Sequence, residues 1–335
     1  MIYIRTDMND QIATGHIMRC LSIADALHQI GESVKFIVAD KNAVALIEKR
    51  GYTSIILGTD WNNKEEELPL LKDVIYKFNI SKLLIDSYQV TQNYLLQLSS
   101  YVKIMYIDDL NMFEYPVDTI VCYANYWSKF HYEENKSSRK FLVGTEYVPL
   151  RKAFWNCKEK VIKKDVDTLL LLSGGTDTYN FLGNMLQRVN LKDFKKIDVI
   201  CGRYNENYEN LCARYKEHLN VVIHKDVSDI EKYMEEADLA ISAGGTTLYE
   251  LCAIGTPTIS YSFVDNQLDN VRQFEQDKLI NYAGDLRMDD VVDNAINLIE
   301  GYRRNYELRR KCSKRMQNLV DGKGSERLAQ ALVNM

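Results

Sequence analysis

The chain has no surplus of positive charge: 42 Lys+Arg stand against 47 Asp+Glu, a formal net charge of -5. Nothing draws it globally to a phosphate backbone, so extensive nucleic-acid binding is not expected. The basic clusters, Arg303-Arg304 and Arg309-Arg310-Lys311, fall in a C-terminal helical segment and read as a solvated face. No apolar run approaches the roughly 18 residues needed to cross a bilayer, so no membrane span is expected. The start, Met1-Ile2-Tyr3-Ile4-Arg5, reads at once as a strand, without the basic start and apolar run of a signal peptide, which sets the expectation of a cytoplasmic protein. The seven cysteines contain no C-x-x-C pair, against a disulfide framework or a zinc site, and are expected as core thiols. Missing too are G-x-G-x-x-G and the G-x-x-x-x-G-K-[ST] P-loop, which weakens dinucleotide and ATP readings.

What the 335 residues do have is two successive arrays of short apolar runs alternating with amphipathic segments. That is the pattern of parallel sheets with crossover helices. Strands are expected at 2–5, 34–38, 54–57, 82–86, 103–107 and 119–122, and again at 168–172, 196–201, 220–223, 239–242 and 258–260. A first helix is expected at 16–30, where Ile17, Leu21, Ala24 and Leu27 recur at helical spacing. The polar stretch 133–140 reads as a loop. The expectation is an α/β chain of two Rossmann-like, doubly wound domains, 1–150 and 151–335, facing across a cleft, with the last helix packing back on the first domain.

In such sheets ligands sit beyond the carboxyl ends of the strands, so the strand-to-helix loops carry the chemistry. The first, from Arg5 to His16, is longer than the about 2–6 residues usual for such a turn. Gly15 allows close approach of a ligand, and His16 falls on the first helical turn. There the helix dipole disfavours imidazolium and favours a neutral ring able to take a proton. The alternative is that His16 only starts the helix. His28, His131 and His218 read as surface or helix positions, and His224, after a strand, is left open.

The strongest local signal is Ser242-Ala243-Gly244-Gly245-Thr246-Thr247-Leu248-Tyr249-Glu250, a strand end running into a helix. Gly244 and Gly245 let main-chain N–H groups face an anion, Thr246 and Thr247 add hydroxyls, and the loop reads as a diphosphate cradle. Glu250 is placed to accept from a ribose diol; a capping box with Thr247 uses the same spacing. A second glycine loop, Ser173-Gly174-Gly175-Thr176-Asp177, could add donors. Asp265, Asn266 and Gln267 suit sugar hydroxyl or acetamido groups, with an Asx-type helix start as the alternative. Asp86-Ser87-Tyr88 and Ile107-Asp108-Asp109 end two strands of the first half and are further candidate sugar contacts.

With these segments in order, the chain resembles the UDP-sugar hydrolases of pseudaminic acid biosynthesis, which act on UDP-2,4-diacetamido-2,4,6-trideoxy-β-L-altropyranose. The resemblance rests on Arg5-Thr6-Asp7 with Gly15-His16-Ile17-Met18-Arg19-Cys20-Leu21, on Tyr147-Val148-Pro149-Leu150-Arg151-Lys152-Ala153-Phe154, and on the glycine loops. The segment from Gly245 to Glu250 is shared with the wider GT-B superfamily, including the N-acetylglucosaminyltransferase that makes lipid II. The resemblance implies a GT-B fold working without metal or other cofactor. His16 would be the base that activates water for inverting hydrolysis of the UDP-sugar. Arg5, Asp7, Tyr88 and Asn266 would contact substrate, and Thr247 and Glu250 would hold diphosphate and ribose. Ala13 stands where that family has glycine. Two alternatives stay open: an inverting GT-B glycosyltransferase using a UDP-N-acetylated sugar, and a non-catalytic nucleotide-sugar-binding subunit. A monomer is the simplest assembly, with an oligomer left open.

Overall fold

A computed structural model describes residues 1–12, 14–132 and 140–335. Ala13, and all but the last residue of the stretch read as a polar loop, lie outside the described residues. The chain divides into two compact units, Met1–Trp155 with Gly322–Met335, and Asn156–Asp321.

The first unit alternates β1 (Ile2–Thr6), α1 (Gly15–Gln29), β2 (Val34–Val38), α2 (Val44–Lys49), β3 (Thr53–Ile56), α3 (Lys64–Lys77), β4 (Lys82–Asp86), α4 (Gln92–Ser99), β5 (Lys103–Ile107), β6 (Thr119–Cys122) and β7 (Lys140–Val143). These strands form one sheet in the order β3-β2-β1-β4-β5-β6-β7. Every pairing in it is parallel. β1 is buried along its whole length because it lies inside the sheet, with β2 on one side and β4 on the other.

The second unit runs β8 (Thr168–Leu172), α5 (Phe181–Arg188), β9 (Lys196–Cys201), α6 (Tyr208–Tyr215), β10 (Val221–Lys225), α7 (Ile230–Glu236), β11 (Leu239–Ala243), α8 (Thr247–Ile254), β12 (Thr258–Ser262), α9 (Asp265–Gln276), β13 (Asn281–Asp285), α10 (Val291–Arg304) and α11 (Tyr306–Leu319). Its sheet, also parallel throughout, has the order β10-β9-β8-β11-β12-β13. The last helix, α12 (Gly324–Val333), belongs to the first unit, where it packs on α1 and Ser325 Oγ donates to Leu150 O at 2.9 Å.

Both sheets reverse their strand order at one place, between β1 and β4 and between β8 and β11. A crevice opens beyond the carboxyl ends of the strands at such a switch point, so the loops after these four strands are where ligands are placed. The two Rossmann-like units expected from the sequence are present. The strands missed were β7 and β13, both at sheet edges. β7 has four residues, and β13 reads Asn-Tyr-Ala-Gly-Asp, too polar to stand out as an apolar run.

Candidate functional site

In the first unit, the loop after β1 delivers His16 to the second residue of α1, while Asp86 ends β4 next door. His16 Nδ1 lies 2.6 Å from Asp86 Oδ1. One turn on, Arg19 grips the same carboxylate with Nε on Oδ2 and Nη2 on Oδ1, both at 2.5 Å, and its Nη1 donates to Tyr123 OH at 2.7 Å. Burial alone would raise the Asp86 carboxyl, but the charge of Arg19 and the hydrogen bonds from Arg19 and His16 override it and hold the group well below the usual carboxylate range. An ionised oxygen at 2.6 Å needs a proton between itself and Nδ1. In the neutral ring that puts the hydrogen on Nδ1 and the lone pair on Nε2; Arg19 Nη2, 2.9 Å from Nδ1, is itself turned to Asp86 Oδ1. Among the described residues nothing hydrogen-bonds Nε2.

Tyr88 stands edge-on to the His16 ring, centroids 4.6 Å apart, and donates its hydroxyl to Asp109 Oδ2 at 3.0 Å. Burial raises the Asp109 carboxyl against the pull of Arg19 and the Tyr88 hydrogen bond, and its Oδ1 is buried without a hydrogen-bond partner among the described residues. The group as a whole is an oriented, carboxylate-backed imidazole with one open proton-accepting nitrogen. It can deprotonate a hydroxyl brought to Nε2.

Several expectations change here. Arg5 and Asp7 were expected to contact substrate, but both are buried in an ion cluster. Arg5 holds Glu67 through Nε at 2.9 Å and Nη2 at 2.5 Å, and Asp7 through Nη1 at 2.7 Å. Lys64 Nζ donates to Asp7 Oδ2 at 2.7 Å, and Tyr94 OH to Glu67 Oε1 at 2.7 Å. A guanidinium in mid-sheet must be paired, and these side chains brace the start of the His16 loop against α3. Asp86, a candidate sugar contact, is spent on His16 and Arg19. Asp108 is held by Tyr115 and Tyr132 at 2.8 and 2.6 Å.

In the second unit, Gly244 follows β11 and donates its N–H to Tyr261 O at 2.8 Å. A Cβ there would come within 2.2 Å of Val271 Cγ1, so only glycine lets the turn pass under α9. Asn270 clamps the turn from that helix, Nδ2 donating to Gly244 O at 2.9 Å while its Oδ1 accepts from Tyr249 OH at 2.9 Å. Beyond it Gly245 faces open space, and α8 starts at Thr247 with Thr246 at its N-cap and no side-chain cap. Thr247 is thus inside the helix, and the capping-box alternative is not realised. An uncapped helix start after a glycine turn offers its first N–H groups and its positive dipole end to an anion. Glu250 lies in that first turn.

Gly174 and Gly175 follow β8, which is paired with β11. The loop is pressed against the end of β9: a Cβ on Gly202 would fall 2.1 Å from Gly174 O, and Tyr204 N donates to Gly175 O at 3.1 Å. Asp177 ends the loop by accepting from Phe181 N at 2.7 Å and Leu182 N at 3.2 Å. Burial lifts the Asp177 carboxyl to about 6 in spite of those N–H groups. Its folded value lies above the ordinary 3.8, so the folded state keeps a proton that the unfolded chain has released. Stability is therefore expected to fall as pH rises from about 4 to about 6. Urea unfolding across that range should show the slope, and Asp177→Asn should flatten it.

Asp265, Asn266 and Gln267 open α9, whose N-cap is Val264, so the Asx-type start is not realised. Asp265 Oδ1 accepts from Arg287 Nη1 at 2.7 Å, and buried Gln267 accepts from Phe263 N at 3.1 Å. Asn266 is exposed and makes no side-chain hydrogen bond among the described residues. His224, left open by the sequence, lies within β10 and pairs with Asp198 at 3.0 Å. Arg19 and Asn270 had been given no role; each works through partners distant in sequence. Among the described residues no group of three His, Cys, Asp or Glu side chains is placed to hold a metal, and no helix is long and apolar enough to cross a membrane.

The two parallel-sheet units, with their switch-point loops, make up a GT-B fold. The structure of MurG from Acinetobacter baumannii superposes with a TM-score of 0.72 at 12% identity, covering 100% of this chain and 99% of that one. The spinosyn rhamnosyltransferase SpnG complexed with thymidine diphosphate gives 0.65 at 14%, covering 100% of both. Residues 169–317 match the glycosyltransferase family 28 C-terminal domain. By sequence, the chain is 29% identical over 207 residues to the spore coat polysaccharide biosynthesis protein SpsG of Bacillus subtilis, covering 60% of each. It is 31% identical over 186 residues to the UDP-N-acetylglucosamine--N-acetylmuramyl-(pentapeptide) pyrophosphoryl-undecaprenol N-acetylglucosamine transferase of Campylobacter jejuni, covering 50% of this chain and 49% of that one. The matches thus span about half to three fifths of these relatives' lengths. The hydrolase expected from the sequence is overturned by these likenesses, which point to a transferase.

Proposed function

We propose that the protein is an inverting glycosyltransferase that takes a UDP-linked, N-acetylated amino sugar as donor and uses His16 as its base. The observation that carries this reading is Asp86 on His16 Nδ1, which leaves Nε2 to remove the proton of an acceptor hydroxyl. The deprotonated oxygen attacks the anomeric carbon, UDP leaves, and the configuration inverts in a single displacement. The second unit is suited to the nucleotide: the glycine turn at Gly244 and Gly245 and the start of α8 at Thr246 and Thr247 would take the charge developing on the diphosphate. Glu250 would accept from ribose, while Gly174 and Gly175 add main-chain donors. Tyr88 and Asn266 are assigned to sugar contacts. Support for the sugar class comes from the N-acetylglucosamine transferase relative.

The test supplies UDP-N-acetylglucosamine labelled in the sugar to the wild type and to His16→Ala, with pooled hydroxyl acceptors from a polysaccharide-producing bacterium. Label should pass to a new product as UDP appears, at least about 10³-fold more slowly in the variant. UDP released equally fast in buffer without any acceptor would overturn the proposal.

A further inference from the structure

The basic cluster that reads in the sequence as a solvated face is only partly one. Arg309 is fully buried, yet it forms no ion pair among the described residues. Its guanidinium donates instead to main-chain carbonyls: Tyr302 O, Arg303 O at 3.2 Å, Lys163 O at 3.0 Å and Lys164 O at 2.6 Å. Nearby, Lys160 Nζ donates to Met234 O at 3.0 Å and to Glu235 O, both in the last turn of α7. Burial pulls both cations down, Lys160 to about 8. Carbonyl dipoles orient a buried cation without cancelling its charge, and Asp238, which acts on both from a distance, is itself paired with Lys163 at 3.0 Å, so the positive charge is only partly compensated.

The segment 157–162 and α11 enclose a groove of about 840 Å³ at this place, lined among others by Lys160, Arg310, Ser313, Lys314 and Gln317, with Glu159 its one acidic lining residue. Arg310 is shared with Glu307 at 2.9 Å, while Lys314 is exposed and has no ion pair among the described residues. Gln317 builds the wall, donating Nε2 to Lys158 O at 2.9 Å and accepting from Lys160 N at 3.1 Å. Three cations against one anion line a pocket in a chain whose net charge is -5.

We propose that this groove binds a phosphate-bearing anion, at a site separate from the glycine turn of the second unit. Lys160 and Lys314 supply charge, and Ser313 and Gln317 supply hydroxyl and amide groups. A free phosphorylated metabolite and an anionic phospholipid headgroup present the same chemistry, and the experiment separates them. None of these residues enters the transferase reading, so either can fail alone.

The full chain is titrated with inorganic pyrophosphate by calorimetry, with uridine present to hold the nucleoside part of the nucleotide site without adding a phosphate. In parallel it is floated with vesicles of phosphatidylcholine alone or containing phosphatidylglycerol. Lys314→Glu and Lys160→Met are compared with the wild type, with melting curves as the check on folding. Pyrophosphate binding weakened about tenfold or more by Lys314→Glu supports a free anion. Binding only to phosphatidylglycerol vesicles, lost in that variant, supports a headgroup. Probes that fail to bind, or that bind wild type and both folded variants alike, overturn the proposal.

Discussion

Asp86→Asn is expected to lower the transfer rate by about 10³- to 10⁴-fold while UDP affinity stays within about twofold. An amide can offer Nδ1 an N–H as readily as an oxygen, so the imidazole is no longer held with its proton on Nδ1, and Nε2 loses its standing as acceptor. The change also removes the charge that stabilises the imidazolium formed on proton transfer. Arg19 magnifies the effect, because its guanidinium, left beside an uncharged amide, repels that imidazolium from 2.9 Å. UDP affinity is spared because the proposed nucleotide contacts lie in the other unit. Steady-state transfer and calorimetric titration with UDP, on samples matched by melting temperature, provide the check. A variant that transfers at more than a tenth of the wild-type rate would remove Asp86 from the mechanism.

Glu67→Ala is expected to destabilise the protein by about 3–5 kcal/mol, the cost of leaving a buried cation without its partner. Glu67 takes Nε and Nη2 of Arg5 and the Tyr94 hydroxyl, and Lys64 lies 3.5 Å from it. Asp7 alone would then face two cations. Because Asp7 also accepts from Ala39 N at 2.8 Å, disorder should spread to the loop that carries His16. Urea denaturation measures the loss. A change under 1 kcal/mol would mean that water enters and solvates Arg5.

The fold was legible because a parallel strand buried on both faces must be apolar throughout, as Leu169 to Leu172 are, and because helical spacing marks the intervening segments. The glycine turn before α8 and the place of His16 could be read for the same local reason: a strand end, a turn residue and a helix start follow one another in the chain. What could not be read was pairing across the sheet. Arg5 next to Asp7 resembles a loop motif until Glu67, 62 residues on, is seen to hold it. Arg19 meets Asp86 across 67 residues, and Asn270 reaches back to Gly244 across 26. Gln267 and Asp265 looked like free polar groups because Phe263 N closes a turn that only the folded backbone defines and Arg287 comes from beyond β13. Charge and hydrogen-bonding capacity are written in the sequence; whether they face a ligand or a neighbour is decided by topology.

The return of α12 to the first unit also bears on how the chain is made. Residues 322–335 are synthesised only after the whole of the second unit, yet Ser325 and the face packed on α1 complete a body whose strands left the ribosome long before. The second unit has its whole sequence available first. The unit bearing His16 must therefore wait, with α1 uncovered, until residues 322–335 have emerged, and that interval is when it is most exposed to aggregation and to proteases.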